Sequence, residues 1–375
     1  MRALNMPDRL AGMFLPERLT TPPVPERTRA PVEHVVILDG TMSSLEPHCI
    51  SNAGQACRLL TEQLPSARLS LFYESGIQWE RWHKAGDVIT GRGVNDQIRR
   101  AYGFIASRYR PGDRIYLLGY SRGAYGVRSL AGMIDRVGLL RRDAATERNT
   151  AQAWRHYRNA RPDDPALRAW CAARCHPEIT IELVGVWDTV KALGVRLPVL
   201  SRYSEPAHAF HNHDLGPHIR HGVQALALDE TRTAFAPILW DSPEHGDSRL
   251  EQLWFRGSHG DVGGQLFGFE PARPLANIPL VWLLERAEGC GLALPAGWRA
   301  RFAQDADAPS LGTWRRWGKL FLARRRRVVG CDRSEAVHTS AQAYLPRAPV
   351  IRAPQGCAEA GRNGLPPAGG DTPAP

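Results

Sequence analysis

Short apolar runs separated by amphipathic stretches recur from about residue 34 to about residue 290. Residues 34–38 read HVVIL, apolar and β-branched, which suits a strand buried on both faces. A helical segment at about 53–63 follows, then a second strand at 68–73 (RLSLFY). Between 94 and 109, Val94, Ile98, Tyr102, Ile105 and Tyr109 recur at helical spacing, and Pro111 and Gly112 end that helix. Residues 114–119 (RIYLLG) form the third strand, and a helix runs from Ser121 to about Val137. Residues 180–187 (TIELVGVW) and 252–255 (QLWF) are further short strands. Strands that alternate with helices predict an α/β fold with a mostly parallel central sheet, covered by helices on both faces. The stretches 140–178 and 195–250 are expected as lid-like insertions. In such sheets ligands sit outside the carboxyl ends of the strands, where the chemistry is to be sought.

The two ends lack this pattern. Residues 1–32, rich in Pro and Arg, read as a flexible arm, and residues 353–375 as a disordered Gly/Pro/Ala tail. Residues 33–352 are left as one domain. An apolar content of 43% supports a full core. No run approaches the roughly 18–20 apolar residues of a membrane-spanning helix, and the first residues lack the apolar core of a secretory signal. The expectation is synthesis in the cytoplasm, with any export by a signal-independent route. Seven cysteines at irregular spacing argue against a disulfide framework, and Cys171, Cys175 and His176 lack a second ligand pair at zinc-like spacing.

The central motif is Gly119-Tyr120-Ser121-Arg122-Gly123, a G-x-S-x-G pattern between an apolar strand and a helix. That context holds a serine in a strained turn at a helix N-terminus, where free amides favour developing negative charge. The Arg122 N–H is the expected first oxyanion donor. A serine hydroxyl needs a base, and His259 in a glycine-rich loop after a strand is the candidate. Asp188, in VGVWDTV, follows a strand and completes the chain order Ser, Asp, His. Asp261 is the rival acid, two residues past His259. Asp39-Gly40-Thr41 follows the first strand, and the amide of Gly40 or Thr41 suits the second oxyanion position, with Asp39 bracing the loop. No cofactor is required. The five histidines His208, His211, His213, His218 and His221 lack an accompanying carboxylate pattern for a metal.

Several segments together resemble a known family. They are residues 37–41 (ILDGT), 73–77 (YESGI), 90–93 (TGRG), 112–125 (GDRIYLLGYSRGAY), 128–134, 185–190 (GVWDTV), 225–230 (ALALDE) and 254–264 (WFRGSHGDVGG). In order they look like the α/β-hydrolase domain of type VI secretion phospholipase effectors. The resemblance implies lipase or phospholipase chemistry carried by Ser121, Asp188 and His259. It also implies a lipid-ester substrate and a secretion spike or immunity protein as partner. Gln224 departs from the family pattern, which tends to His there, and Gly260 stands where Ser is frequent.

The formal charge of +10 draws the chain to anionic partners. Residues 314–327, from Trp314 to Arg327, interleave aromatics and cations. If helical, they suit an anionic bilayer, with Trp314, Trp317, Phe321 and Leu322 inserted. No nucleic-acid module surrounds them. Two other readings stay open at this point. One is a non-catalytic interaction protein that keeps the hydrolase fold. The other is a metal-dependent phosphoesterase using Asp39, Asp261 and His259.

Overall fold

Alternation along the strands decides which helices cover which face of the sheet. The computed structural model describes residues 18–20, 30–76, 92–161, 163–190, 214–243, 248–315, 318–319 and 321–344. In chain order these form β1 (Arg18–Thr20), β2 (Glu33–Leu38), α1 (Asn52–Thr61), β3 (Leu69–Glu74), α2 (Arg92–Ala106) and β4 (Arg114–Tyr120). Then come α3 (Arg122–Val137), α4 (Glu147–Asn159), α5 (Pro165–Arg174), β5 (Ile181–Trp187), β6 (Gly222–Ala227) and β7 (Leu250–Phe255). The last are α6 (His259–Gly263), α7 (Arg273–Gly289), β8 (Glu335–Val337) and α8 (Thr339–Gln342). Val36 and Leu38 of β2 pack with Leu117 of β4, Val184 of β5 and the apolar stripes of α2 and α3. Val35 and Ile37 pack the other way, with Tyr116, Leu118 and the side chains of α1 and α7. The two-residue period of a strand thus makes two cores from one sheet.

The sheet runs β1-β3-β2-β4-β5-β6-β7-β8. All neighbours from β3 to β8 pair in parallel, and β1 adds an antiparallel edge through Arg18–Thr20, inside the segment expected as an arm. This is the α/β-hydrolase architecture. Part of the stretch expected as the second insertion is instead sheet: β6 lies hydrogen-bonded between β5 and β7. Its sequence, GVQALA, hides it, because Gln224 breaks the apolar run yet is fully buried. Gln224 accepts from the Thr189 hydroxyl at 2.5 Å and donates to the Ile238 carbonyl and to Gln252 Oε1. The first insertion supplies α4, which packs on α2 and α3, and α5, whose Leu167 and Trp170 join the same core as Ala153 and Tyr157 of α4.

Among the described residues no helix is long and apolar enough to cross a membrane. Among the described residues Cys171, Cys175 and Cys290 are free thiols, while Cys331 is disulfide-bonded.

Candidate active site

β4 delivers Ser121 to the carboxyl edge of the sheet, and the turn into α3 fixes its backbone. Ser121 has φ 56° and ψ −118°, a conformation that costs a non-glycine residue of order 1–3 kcal/mol. Small neighbours make the turn possible. A Cβ on Gly123 would stand 2.0 Å from the Leu38 carbonyl oxygen, and one on Gly119 would stand 2.7 Å from the Gly123 carbonyl oxygen. The serine is therefore held by strand packing on one side and a tight helix start on the other.

Three elements bring the expected triad residues together. Ser121 Oγ lies 2.8 Å from His259 Nε2, and His259 Nδ1 lies 2.6 Å from Asp188 Oδ2. Asp188 follows β5, and His259 opens the short helix α6. The histidine was expected in a glycine-rich loop; the loop is only Gly257 and Ser258, and the ring starts a helical turn. Its backbone N–H donates to Glu230 Oε2, and its ring lies between Tyr120 and Phe235, with centroids 4.9 and 4.8 Å away. All three side chains are nearly or wholly buried, so the hydrogen bonds lie in a poorly hydrated setting where they count for more.

Asp188 has a partner that the sequence reading did not identify. Arg327 donates to Oδ1 at 2.5 Å and to Oδ2 at 2.8 Å, and the Ala227 N–H donates to Oδ1. Burial alone would raise the Asp188 pKa; the Arg327 charge and the His259 bond outweigh it and hold the carboxyl well below the usual carboxylate range. Residues 314–327 are thus not a helix lying wholly on the surface. Arg324 also turns inward, to Thr231, Thr313 and the carbonyls of Gly318 and Phe321. Trp314 and Leu322 remain exposed, and Trp317 lies outside the described residues.

The other named carboxylates point elsewhere. Asp261 accepts from the Ser258 N–H and hydroxyl, the Ser310 hydroxyl and the Leu311 N–H, so it locks α6 to the loop near 310 rather than facing the imidazole. Asp39 accepts from Ser51, Tyr73 and the Gly40 N–H. Desolvation dominates these bonds and pushes its pKa up to about 6. The Gly40 amide is committed to that bond, which leaves Thr41 as the candidate for the second oxyanion donor. Among the described residues no three His, Cys, Asp or Glu side chains converge on a point that could hold a metal. His218 pairs with Asp135, and His208, His211 and His213 lie outside the described residues.

The chain is similar to several known proteins. A 27% identical relative, the uncharacterized protein YEL023C of Saccharomyces cerevisiae, aligns over 229 residues, 54% of this chain and 32% of its own length. An uncharacterized Pseudomonas aeruginosa protein of known structure is 15% identical, with TM-score 0.43 over 76% of this chain and 52% of that one. The Tle1 effector bound to the VgrG spike of the type 6 secretion system is 15% identical, with TM-score 0.34 over 67% of this chain and 57% of that one. The chain therefore spans about a third to somewhat over half of these relatives. Residues 33–286 match the family model described as T6SS, phospholipase effector Tle1-like, catalytic domain. That match covers well over half the chain, and the protein belongs to the Tle1-like phospholipase effector catalytic-domain family.

Proposed function

We propose that the protein is a serine hydrolase that cleaves ester bonds in phospholipids. The observation that carries this reading is the unbroken hydrogen-bond path from Ser121 through His259 to Asp188, at 2.8 and 2.6 Å. In the first step Ser121 Oγ bonds to the ester carbonyl carbon while its proton passes to His259 Nε2. Asp188 stabilises the imidazolium. The oxyanion accepts from the N–H groups of Arg122 and Thr41, and the imidazolium returns its proton to the leaving alkoxide. In the second step water, deprotonated by the same ring, attacks the acyl-serine and frees the acid. Ser121 Oγ then recovers its proton.

Arg122 favours an anionic lipid over a neutral one. Its guanidinium, one residue past the nucleophile, has no ion pair or hydrogen bond among the described residues, and burial pulls its pKa down to about 10. A free cation so placed suits the phosphodiester of a lipid, only a few bonds from the scissile carbonyl. At the surface, Trp314 and Leu322 stand exposed among the exposed cations Arg315, Lys319, Arg325 and Arg326. This patch is the proposed contact with an anionic bilayer, where each basic residue contributes about 1 kcal/mol. Residues 33–352 form the proposed catalytic domain. Export by a type VI machine, with a spike protein and an immunity protein as partners, is the proposed setting for a member of this family. The metal-dependent alternative is disfavoured because Asp39 and Asp261 have their oxygens committed to neutral donors away from His259.

The test is covalent labelling by a fluorophosphonate, followed by product analysis on mixed phospholipid vesicles. Labelling of the wild type at Ser121, its loss in Ser121→Ala, and release of fatty acid are the expected results. Lipid cleavage that survives Ser121→Ala and stops with chelator would favour the phosphoesterase. A chain neither labelled nor active would favour the interaction protein.

A further inference from the structure

Arg327 lies beyond residue 286, where the family match ends, yet it reaches the centre of the site. Its side chain is 4% exposed. Nη1 donates to Asp188 Oδ1 and to the Ala227 carbonyl; Nη2 donates to Asp188 Oδ2 and to the Phe235 carbonyl. Every proton on the two terminal nitrogens thus has an acceptor. The four acceptors tie together the end of β5, the end of β6 and the residue whose ring flanks His259. Only a planar fork satisfies them all, which a lysine cannot do.

We propose that Arg327 is a positioning residue for the acid–base pair: its fork fixes the Asp188 carboxylate toward His259, and its charge sets how far into acid pH that pair can still accept the Ser121 proton. This inference rests on the triad reading above. The orienting part follows from the geometry, since the carboxylate receives four donors and only one of them is the imidazole. The electrostatic part follows from the position of the charge. A cation behind the carboxylate offsets some of the attraction that would hold a proton on the ring. Other charged groups facing the pair are compensated. Glu230, which accepts the His259 N–H, is ion-paired with Arg232 at 2.6 Å, and Asp261 is held by Ser258, Ser310 and Leu311. Asp39 lies on the far side of Ser121, and the rings of Tyr120 and Phe235 are uncharged. Arg327 is the cation in direct contact with the acid.

The experiment measures the fluorophosphonate labelling rate of the full chain from about pH 4 to about pH 9. Thermal melting reports whether each variant is folded. In Arg327→Gln the neutral-pH rate falls about 10–100-fold, as for loss of other supporting partners. The acid limb of its profile moves up by about one pH unit or more. Arg327→Lys keeps the charge and loses the fork, so its acid limb stays with the wild type while its rate falls. In an Asp188→Asn background, where no carboxylate charge offsets the guanidinium, the glutamine substitution still moves the limb up. An Arg327→Gln limb that coincides with the wild type overturns the proposal. If the glutamine variant does not fold, the lysine variant decides, and wild-type labelling by it overturns the proposal. A wild type not labelled at Ser121 removes the triad reading itself, which separates the two failures.

Discussion

Two aspartates flank Ser121 at similar depth and meet opposite fates. Asp39 follows β2 and is 1% exposed; Asp188 follows β5 and is 0% exposed. Asp39 is surrounded by neutral donors, Ser51, Tyr73 and the Gly40 amide, and its pKa is pushed up to about 6. Asp188 faces Arg327 and His259, and its pKa is pulled well down. Burial raises both. Neutral hydrogen bonds do not offset the lost hydration of a carboxylate, whereas a bidentate guanidinium does. The two environments suit the proposed roles. One carboxyl is a permanent anion fit to face an imidazolium. The other is a loop brace that gains its charge only as pH rises through about 6.

The largest way to break that contrast is amide substitution at each site. Asp188→Asn removes the anion and allows the wrong imidazole tautomer, so labelling and hydrolysis should fall about 10³–10⁴-fold, as in other serine triads. Asp39→Asn removes no group that touches the reacting atoms and should keep activity within about tenfold. Hydrolysis rates of the two purified variants check this. Equal losses would show that the second aspartate also serves the chemistry.

A smaller effect separates the pair by the pH dependence of stability. The Asp39 pKa is raised on folding, from 3.8 to about 6. Between those values the folded chain keeps a proton that the unfolded chain releases, so stability falls as pH rises. At about 1.4 kcal/mol per unit this amounts to roughly 3 kcal/mol. The Asp188 pKa is lowered, so its contribution is present above the unfolded value near 3.8 and is lost as pH falls below it. Melting temperatures of the wild type and Asp39→Asn, measured from about pH 4 to about pH 7, should converge or cross as the wild type loses ground. Parallel curves would show that Asp39 is already charged at the acid end.

How these sites could be read in the sequence differs for the same physical reason. The serine turn is written locally. An apolar strand, two glycines that leave no room for a Cβ, and a helix start lie within twenty residues. Asp188 and His259 each follow a strand, so topology alone sends them to the same sheet edge. Arg327 carries no such mark. It meets Asp188 across 139 residues, from a run of four arginines that read as a charged surface. Arg325 and Arg326 are exposed while Arg324 and Arg327 turn inward, in a segment that forms neither helix nor strand. β6 was missed for a related reason: the buried amide network of Gln224, Thr189 and Gln252 is satisfied only by residues far apart in the chain.

The smallest test sharpens the Asp39 side alone. Tyr73 donates its hydroxyl proton to Asp39 Oδ2 at 2.8 Å, and its ring is buried against the second core. Tyr73→Phe keeps the ring and removes one neutral donor to the charged form. Loss of the bond should cost about 1–2 kcal/mol. It should also raise the Asp39 pKa further, because that donor favours the ionised carboxyl. The deficit relative to the wild type is therefore larger at about pH 7 than at about pH 5, where the carboxyl is mostly protonated in both. Activity should stay within about threefold, since neither residue meets the serine or the imidazole. A deficit independent of pH would mean that the hydroxyl serves the protonated acid as well. The Asp39 pKa would then owe nothing to Tyr73, and its contrast with Asp188 would rest on desolvation and the remaining donors.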